Sequence, residues 1–342
     1  MNMLSYTYPV SSLFTGSSLG NRLAFAQLDE QTHLRGLWSS IDDQFYLGEW
    51  IVDIMLDGAL LHPHETVFAP ESQTTRLVNG EGSAERQFYL PFAVTKEALM
   101  DIDGLRRGVY LVRLLAGKEG SSLFIVRHSL VFPAPPSPKF IKKPPVEQTQ
   151  KHVKVVCREN HGEITTLGTP QEARVFWSTT PLHLCSSDDR SMVVEYKYQL
   201  QPGEILEIPF VLAFSPSGVE RALATARADP KRTLEEARIE YGHLLSRTHV
   251  VTPEPVINRG LQWAKVNSAR VHHTYRIGDA FTNDPPQDIV VIRDLAWYVL
   301  GADYILPTFS RSLLELAEKY AFHEGGKLTE FIHANETVPE KH

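Results

Sequence analysis

The stretch Met192–Ala228, MVVEYKYQLQPGEILEIPFVLAFSPSGVERALATARA, changes period in its middle, and that change decides the fold. In the first part Val194, Tyr196, Tyr198 and Leu200 recur at every second residue, which puts them on one face of a strand. A Pro202–Gly203 turn follows, then a second run of branched and aromatic residues from Ile205 to Phe214. Beyond Phe214 the period becomes helical. The spacing predicts a helix with Ser215 as its N-cap and Pro216 at its first position.

Toward the N-terminus the strand pattern continues. LAFAQLD (Leu23–Asp29), LGEWIVDIML (Leu47–Leu56), ERQFYLPFAV (Glu85–Val94), GVYLVRLLAG (Gly108–Gly117) and SLFIVRHSLVF (Ser122–Phe132) are short, apolar and separated by turn residues such as Asn79–Gly80. About a dozen strands with no helix between them predict a large antiparallel β-sandwich. A proline-rich connector, Pro133–Gln148, runs through the middle of this region. It either divides two sub-sheets or forms one long crossover.

Toward the C-terminus the helical period holds. Thr233 and Glu236 have capping-box spacing, with Leu234, Ala237, Tyr241 and Leu244 as the apolar stripe behind them. Thr252–Val271 predicts a helix whose inner stripe is Ile257, Leu261, Ala264 and Val271. Asp288–Leu306 and Thr308–Gly326 predict two more, the last ended by Gly325–Gly326. The expected organisation is multidomain β + α: a β-sandwich over 1–214, a helical linker over 215–251 and a helical part over 252–342.

The totals narrow the function classes. A chain of 342 residues exceeds one ordinary core. A formal charge of −7 gives no electrostatic reason to expect nucleic acid or an anionic membrane. No apolar run reaches the ~18 residues of a membrane span, and the N-terminus shows no secretory pattern. Cys157 and Cys185 are too few for a zinc site, and two buried reduced thiols are expected. A cytoplasmic setting fits these features, with no cofactor and no metal implied.

In the stretch DPPQDIVVIRDLAWYVLGADY (Asp284–Tyr304), an adjacent Arg293–Asp294 pair stands at the mouth of an apolar segment. Asp favours the positive end of a helix dipole, so the pair can simply decorate a helix start. The surrounding residues give it a second meaning. SSLGNRLAFAQLDEQTHLRGLWSSIDDQFYLGEW (Ser17–Trp50), PVINRGLQWAKVNSARV (Pro255–Val271), FTNDPPQDIVVIRDLAWYVLGADY (Phe281–Tyr304) and GGKLTEFI (Gly325–Ile332) resemble segments of one clan of glycoside hydrolases. Its members, glucoamylase-like and glycogen-debranching-like enzymes, place a β-super-sandwich before an (α/α)6 barrel. The resemblance covers most of the chain in architecture, and residue by residue about 255–335.

The resemblance implies the first helices of such a barrel over 252–342 and an oligosaccharide or polysaccharide substrate, an α-linked glucan or related oligosaccharide cleaved with inversion. It makes Arg293 and Asp294 a clamp on the terminal sugar, because charge-assisted hydrogen bonds to hydroxyls are strong and directional. Trp263 and Trp297, on the two flanking helices, become stacking platforms for sugar faces or, equally, core residues. Glu330, past the glycine turn, becomes a substrate contact and the one candidate for a catalytic acid within the chain. Glu324 beside it fits a solvated helix-end charge.

Inversion needs a general acid and a general base facing each other across the bond. In the resembled clan these come from later barrel helices. A twelve-helix barrel needs on the order of 200 residues, and 252–342 has room for about four helices. The expectation is therefore a truncated barrel with its catalytic carboxylates beyond His342. An exposed apolar surface on the helical end would follow, with self-association or a partner completing the barrel. A non-catalytic carbohydrate-binding scaffold and a phosphorylase of the same architecture remain alternatives.

Other patterns carry less. Gly16–Gly20 matches G-x-S-x-G, but a strand follows where a nucleophile elbow needs a helix. His62 and His64 form a pair without a third ligand, and His272 and His273 are expected on different helix faces. Asn335–Thr337 is a glycosylation sequon, and KFIKKPP (Lys139–Pro145) is a short basic run in the connector.

Overall fold

The computed structural model describes residues 4–80, 82–92, 103–132, 152–282, 288–323 and 325–336. Two antiparallel nine-stranded sheets stack face to face. The first runs Tyr6–Pro9, His62–Phe68, Ser72–Asn79, Gly82–Tyr89, Arg107–Leu115, Ile205–Ser215, Thr169–Ser178, His161–Thr166, Val153–Cys157. The spine of the second is Leu184–Ser187, Ser191–Leu200, Ser122–Val131, Glu49–Leu56, Leu34–Ser39, Ala24–Leu28, Ser18–Gly20. Gln44–Leu47 and Ala59–Leu60 add short pairings to it.

Alternation sets which side chains meet between the sheets. Trp50, Val52, Ile54 and Leu56 point inward from one strand, and Val194, Tyr196, Tyr198 and Leu200 from another, as their spacing predicts. Ile208, Phe210, Leu212 and Phe214 answer them from the first sheet. The intervening Val211 and Ala213 face the other way and pack on a helix. That two-sided burial is why Ile208–Phe214 reads as a continuous apolar run.

The Pro202–Gly203 turn passes the chain from one sheet to the other, so the two strands it joins pair with different neighbours, Ser122–Val131 and Arg107–Leu115. The connector Pro133–Gln148 and its basic run lie outside the described residues. Strands from before and after it enter both sheets, so there is no division into two sub-sheets.

Five helices follow among the described residues: α1 Val219–Arg227, α2 Pro230–Ser246, α3 Pro255–Arg270, α4 Ile292–Ala302 and α5 Pro307–Tyr320. A β-sandwich followed by helices is therefore the observed architecture. The helix starts differ from expectation. Ser215 ends a strand, and α1 begins after Gly218, whose φ of 99° suits glycine alone. Asp229, not Thr233, caps α2, accepting from the backbone N–H groups of Lys231 and Arg232, and Thr233 sits one turn inside. Local propensity marked capable residues, and the turn geometry chose others.

The α3 stripe is also reversed. Ile257 and Leu261 are 51% and 39% exposed, and Ala264 is exposed too. The buried face carries Lys265, Val266, Ala269 and Arg270. Buried cations are legitimate here because they close chain ends. Lys265 Nζ donates to the Leu245, Arg247 and Thr248 carbonyls at the end of α2, and Arg270 donates to the Ala69 and Pro70 carbonyls of the sandwich. A hydrophobicity pattern cannot see this.

The helices are locked to the sandwich at Gly20–Asn21. A Cβ on Gly20 would lie 2.0 Å from the Arg270 carbonyl oxygen, so only glycine admits the end of α3. Asn21 Oδ1 accepts from the backbone N–H groups of Leu23 and Ala24, and Nδ2 donates to the Pro91 and Leu105 carbonyls. Its own carbonyl is bonded to His273 Nδ1 at 2.7 Å. Phe25, Trp38 and Phe92 continue the seam into the helical core beside Tyr241, Val266 and Tyr275.

Cys157 and Cys185 form a disulfide, with Cα atoms 6.5 Å apart, which corrects the expected free thiols. Spacing alone cannot reveal that the edge strand of each sheet brings them together. The pair removes the reduced-thiol argument for a cytoplasmic setting. No helix among the described residues is long and apolar enough to cross a membrane.

Two stability predictions follow from these contacts. Gly20→Ala should lower the unfolding free energy by about 2–4 kcal/mol, since backbone and not a flexible side chain meets the new methyl; denaturant unfolding with wild-type stability would contradict the close approach. Replacing Cys157 and Cys185 together by Ser should cost about 3.5 kcal/mol for the 28-residue separation. A thermal midpoint equal to that of the oxidised wild type would contradict the cross-link.

Candidate functional site

The first turn of α4 is built by a short strand pair. Ile289–Val291 lies antiparallel to Phe331–His333, and the Ile292 N–H donates to the Glu330 carbonyl at 2.9 Å. This pairing sets the Glu330 backbone beside Ile292, the residue before Arg293, although nearly forty positions separate them in sequence. Glu330 is exposed. Arg293 Nε donates to Asp294 Oδ1 at 3.0 Å, with side chains 73% and 26% exposed.

The amphipathicity of α4 orients the rest. Ile292, Leu295 and Ala302 are buried, while Tyr298 stacks on Phe281 and its hydroxyl donates to the Ser268 carbonyl of α3 at 2.7 Å. Arg293, Trp297 and Leu300 therefore share the outer face, at spacings of four and three residues. Trp297 is 71% exposed. Tyr304, just past the helix, is exposed as well.

The structure thus brings Arg293, Asp294, Trp297 and Glu330 to one exposed rim. Trp263 stands in a different cluster: it is half-buried on α3, its ring 5.7 Å from that of Tyr6 and under the Arg270 guanidinium at 5.4 Å. Leu300 and Tyr304 carry no polar mark that separates them from the buried Leu295 and Ala302, and only the docking of α4 shows which of these residues face out.

Chemically the rim offers a carboxylate acceptor, a guanidinium donor and an open indole face. That set suits a ligand with many hydroxyls and apolar ring faces. Asp294 and Glu330 stand on adjacent elements, joined by the backbone bond from Ile292 to Glu330. Inversion instead needs carboxyls facing each other across a bond.

At the seam lies a half-buried polar network, with His273 fully buried at its edge. His272 and His273 sit on the strand His272–Tyr275, not on a helix, and point to opposite faces of it. His272 stacks on Phe309, and its Nε2 lies 3.5 Å from Asp279 Oδ2. Asp279 also accepts from Arg22 and from the Thr274 hydroxyl, which itself accepts from Arg22. Burial pushes the His272 imidazole down to about 4, with Asp279 opposing, and His273 down to about 3. For Asp279 burial raises the pKa, but the His272 hydrogen bond and the Arg22 charge outweigh it and hold the carboxyl at about 2.

The remaining candidates resolve simply. His62 and His64 are exposed on an edge-side strand, and no group of three or more His, Cys, Asp or Glu residues suited to a metal occurs among the described residues. Ser18 opens a strand, so the G-x-S-x-G match has no elbow. Asn335 is buried, donating to the Ser40 carbonyl and accepting from the Arg276 N–H, which closes the sequon in the folded chain. Thr337 and Glu324 lie outside the described residues.

No protein-family description matches the chain, and none of the curated proteins matches its sequence. Solved structures do. One provisionally described as a kojibiose phosphorylase from human microbiome superposes with a TM-score of 0.60 at 7% identity, over 89% of this chain and 46% of that one. The chain therefore spans under half the length of that protein, and the likeness is one of fold. A GH92 family glycosyl hydrolase overlaps at a TM-score of 0.44 and 14% identity, over 95% of this chain and 50% of that one. A galactose mutarotase related enzyme from Lactobacillus acidophilus overlaps at 0.36 and 10%, over 59% and 98%. The last two superpositions are too loose to carry weight.

The buried histidines set a pH dependence. Their folded pKa values lie below the unfolded value of about 6.5, so between roughly pH 6.5 and 4 the unfolded chain binds protons that the folded chain refuses. Stability is complete above pH 6.5 and falls as pH drops through that window, by about 1.4 kcal/mol per pH unit for each such histidine. Denaturant unfolding from pH 7 to 4.5 measures this, and His272→Phe, which keeps the stack on Phe309, should flatten the slope. An unchanged slope contradicts the assignment.

Proposed function

We propose that the chain is the sandwich and opening helical part of an enzyme that breaks glycosidic bonds, most simply an inverting glycoside hydrolase acting on an α-linked glucan or related oligosaccharide. The observation that carries this reading is the Arg293–Asp294 ion pair on an exposed rim beside Trp297 and Glu330. Asp294 accepts hydrogen bonds from sugar hydroxyls, Arg293 donates to the same sugar and fixes the carboxylate, and Trp297 stacks on a ring face. The proposed division is a sandwich over 1–214, a linker over 215–251 and barrel helices over 252–342.

Catalytic carboxylates are proposed to come from further helices that complete the barrel, within a longer chain or from a partner. Supporting this, Val256 and Ile257 on α3, Leu300 on α4 and Leu314 on α5 are each more than half exposed. A second reading, phosphorolysis in place of hydrolysis, is favoured by the fold shared with the protein described as a kojibiose phosphorylase.

The test is calorimetric titration of the chain with α- and β-linked oligosaccharides, followed by turnover assays, with and without inorganic phosphate, on the assembly that carries the proposed further helices. Turnover that depends on phosphate selects the phosphorylase reading, and phosphate-independent release of reducing ends selects hydrolysis. Asp294→Ala should weaken oligosaccharide binding, and any kcat/KM, by about 2–3 kcal/mol, or roughly 30- to 150-fold. Equal affinity and turnover in the variant would remove the clamp.

A further inference from the structure

The strand pair that carries the rim has no apolar pattern to set its register. Ile289, Val290 and Val291 lie against His333, Ile332 and Phe331, and all but His333 are apolar. A slip by one residue would exchange one apolar set for another while moving the start of α4 past Glu330 by about 3.3 Å. Three pairs are also too few to hold by themselves, since an isolated two-stranded ribbon is marginal in water. Nor does a side chain cap the start of α4, whose N-cap is Val291.

A buried polar contact closes the inner end of this ribbon. His333 Nδ1 and Asp288 Oδ1 lie 3.2 Å apart, with side chains 4% and 3% exposed. The Asp288 carbonyl also accepts from the Ala334 N–H at 2.7 Å. We propose that the Asp288–His333 pair is the positioning element of the rim: it sets the register of Ile289–Val291 on Phe331–His333, and with it the places of Arg293, Asp294 and Glu330.

The chain after His333 supplies a fixed frame. The Ala334 carbonyl accepts from the Ile277 N–H at 3.1 Å, and Asn335 accepts from the Arg276 N–H and donates to the Ser40 carbonyl of the sandwich. Asp288, which leads directly into the strand before α4, joins that frame through His333. A slip would part the carboxylate from the imidazole in an interior where a lost hydrogen bond is costly. The pair therefore selects one register among apolar alternatives, as a buried asparagine does in a coiled coil.

The effect on binding rests on the saccharide clamp proposed above, whereas the register does not, so two readouts separate them. The test variant combines Asp288→Val with His333→Leu, which removes the polar selection without stranding either partner in the core. Amide hydrogen exchange of the full chain is read at Ile292, whose N–H donates to the Glu330 carbonyl, and at Thr274, whose N–H donates to the Arg22 carbonyl across the seam. Exchange should quicken roughly tenfold at Ile292 and stay slow at Thr274, both in this double variant and in the smaller lesion Asp288→Ala. Asp288→Asn, which keeps an acceptor for His333, should leave both amides slow. Unchanged exchange at Ile292, or equal quickening at both amides, overturns the positioning role. In calorimetric titration with maltohexaose the double variant should bind roughly tenfold more weakly than wild type, but lose less than about twofold when added to Asp294→Ala, because the pair acts through the rim. Losses that add in full also overturn it. A wild-type chain with no affinity for maltohexaose sinks the clamp, and exchange at Ile292 then decides the register by itself.

Discussion

The structure depends on one close approach: the carbonyl of Arg270 occupies the space that a side chain at position 20 would fill. From that contact the end of α3, the hairpin that follows it and the strand before α4 all take their positions against the sandwich. Asn21 fixes the contact from the sandwich side with four hydrogen bonds, and His273 fixes it from the helical side. Because these groups are buried, each bond is costly to break, and the seam behaves as part of one core. The rim at Arg293 inherits its place from this seam through α3 and the Tyr298–Ser268 bond.

Buried cations repeat the same device elsewhere. Arg107, on a sandwich strand, donates to the Thr225 and Ala228 carbonyls at the end of α1. Lys265 does so for α2, where burial lowers its pKa. In each case a positive group meets the negative end of a helix and satisfies carbonyls that the helix leaves open. The helices are therefore held by their ends as much as by their apolar faces. This explains how α3 can turn Ile257 and Leu261 outward and still be well docked.

That device also marks where the sequence could be read and where it could not. Period-two alternation at Met192–Leu200 and the switch after Phe214 give the sandwich and the following helices, because burial on one side of a strand leaves a local trace. The α3 face was misassigned because the docking energy there comes from Lys265 and Arg270, which a hydrophobic period counts as surface. The disulfide was invisible because its cysteines sit on edge strands of different sheets. At the site, Arg293, Asp294 and Glu330 were legible as types, and only the Ile289–Val291 and Phe331–His333 pairing shows that they are neighbours. The contact of the Tyr6 ring with that of Trp263 left no local signal, since topology alone brings the two together.

The central claim is that the α4 rim grips a sugar. A crystal structure of the chain soaked with an oligosaccharide tests it most directly. The account predicts a pyranose ring stacked on Trp297 with a hydroxyl within hydrogen-bond distance of the Asp294 carboxylate. Clear density for the sugar bound elsewhere, with Asp294 bonded only to Arg293 and solvent, would contradict it.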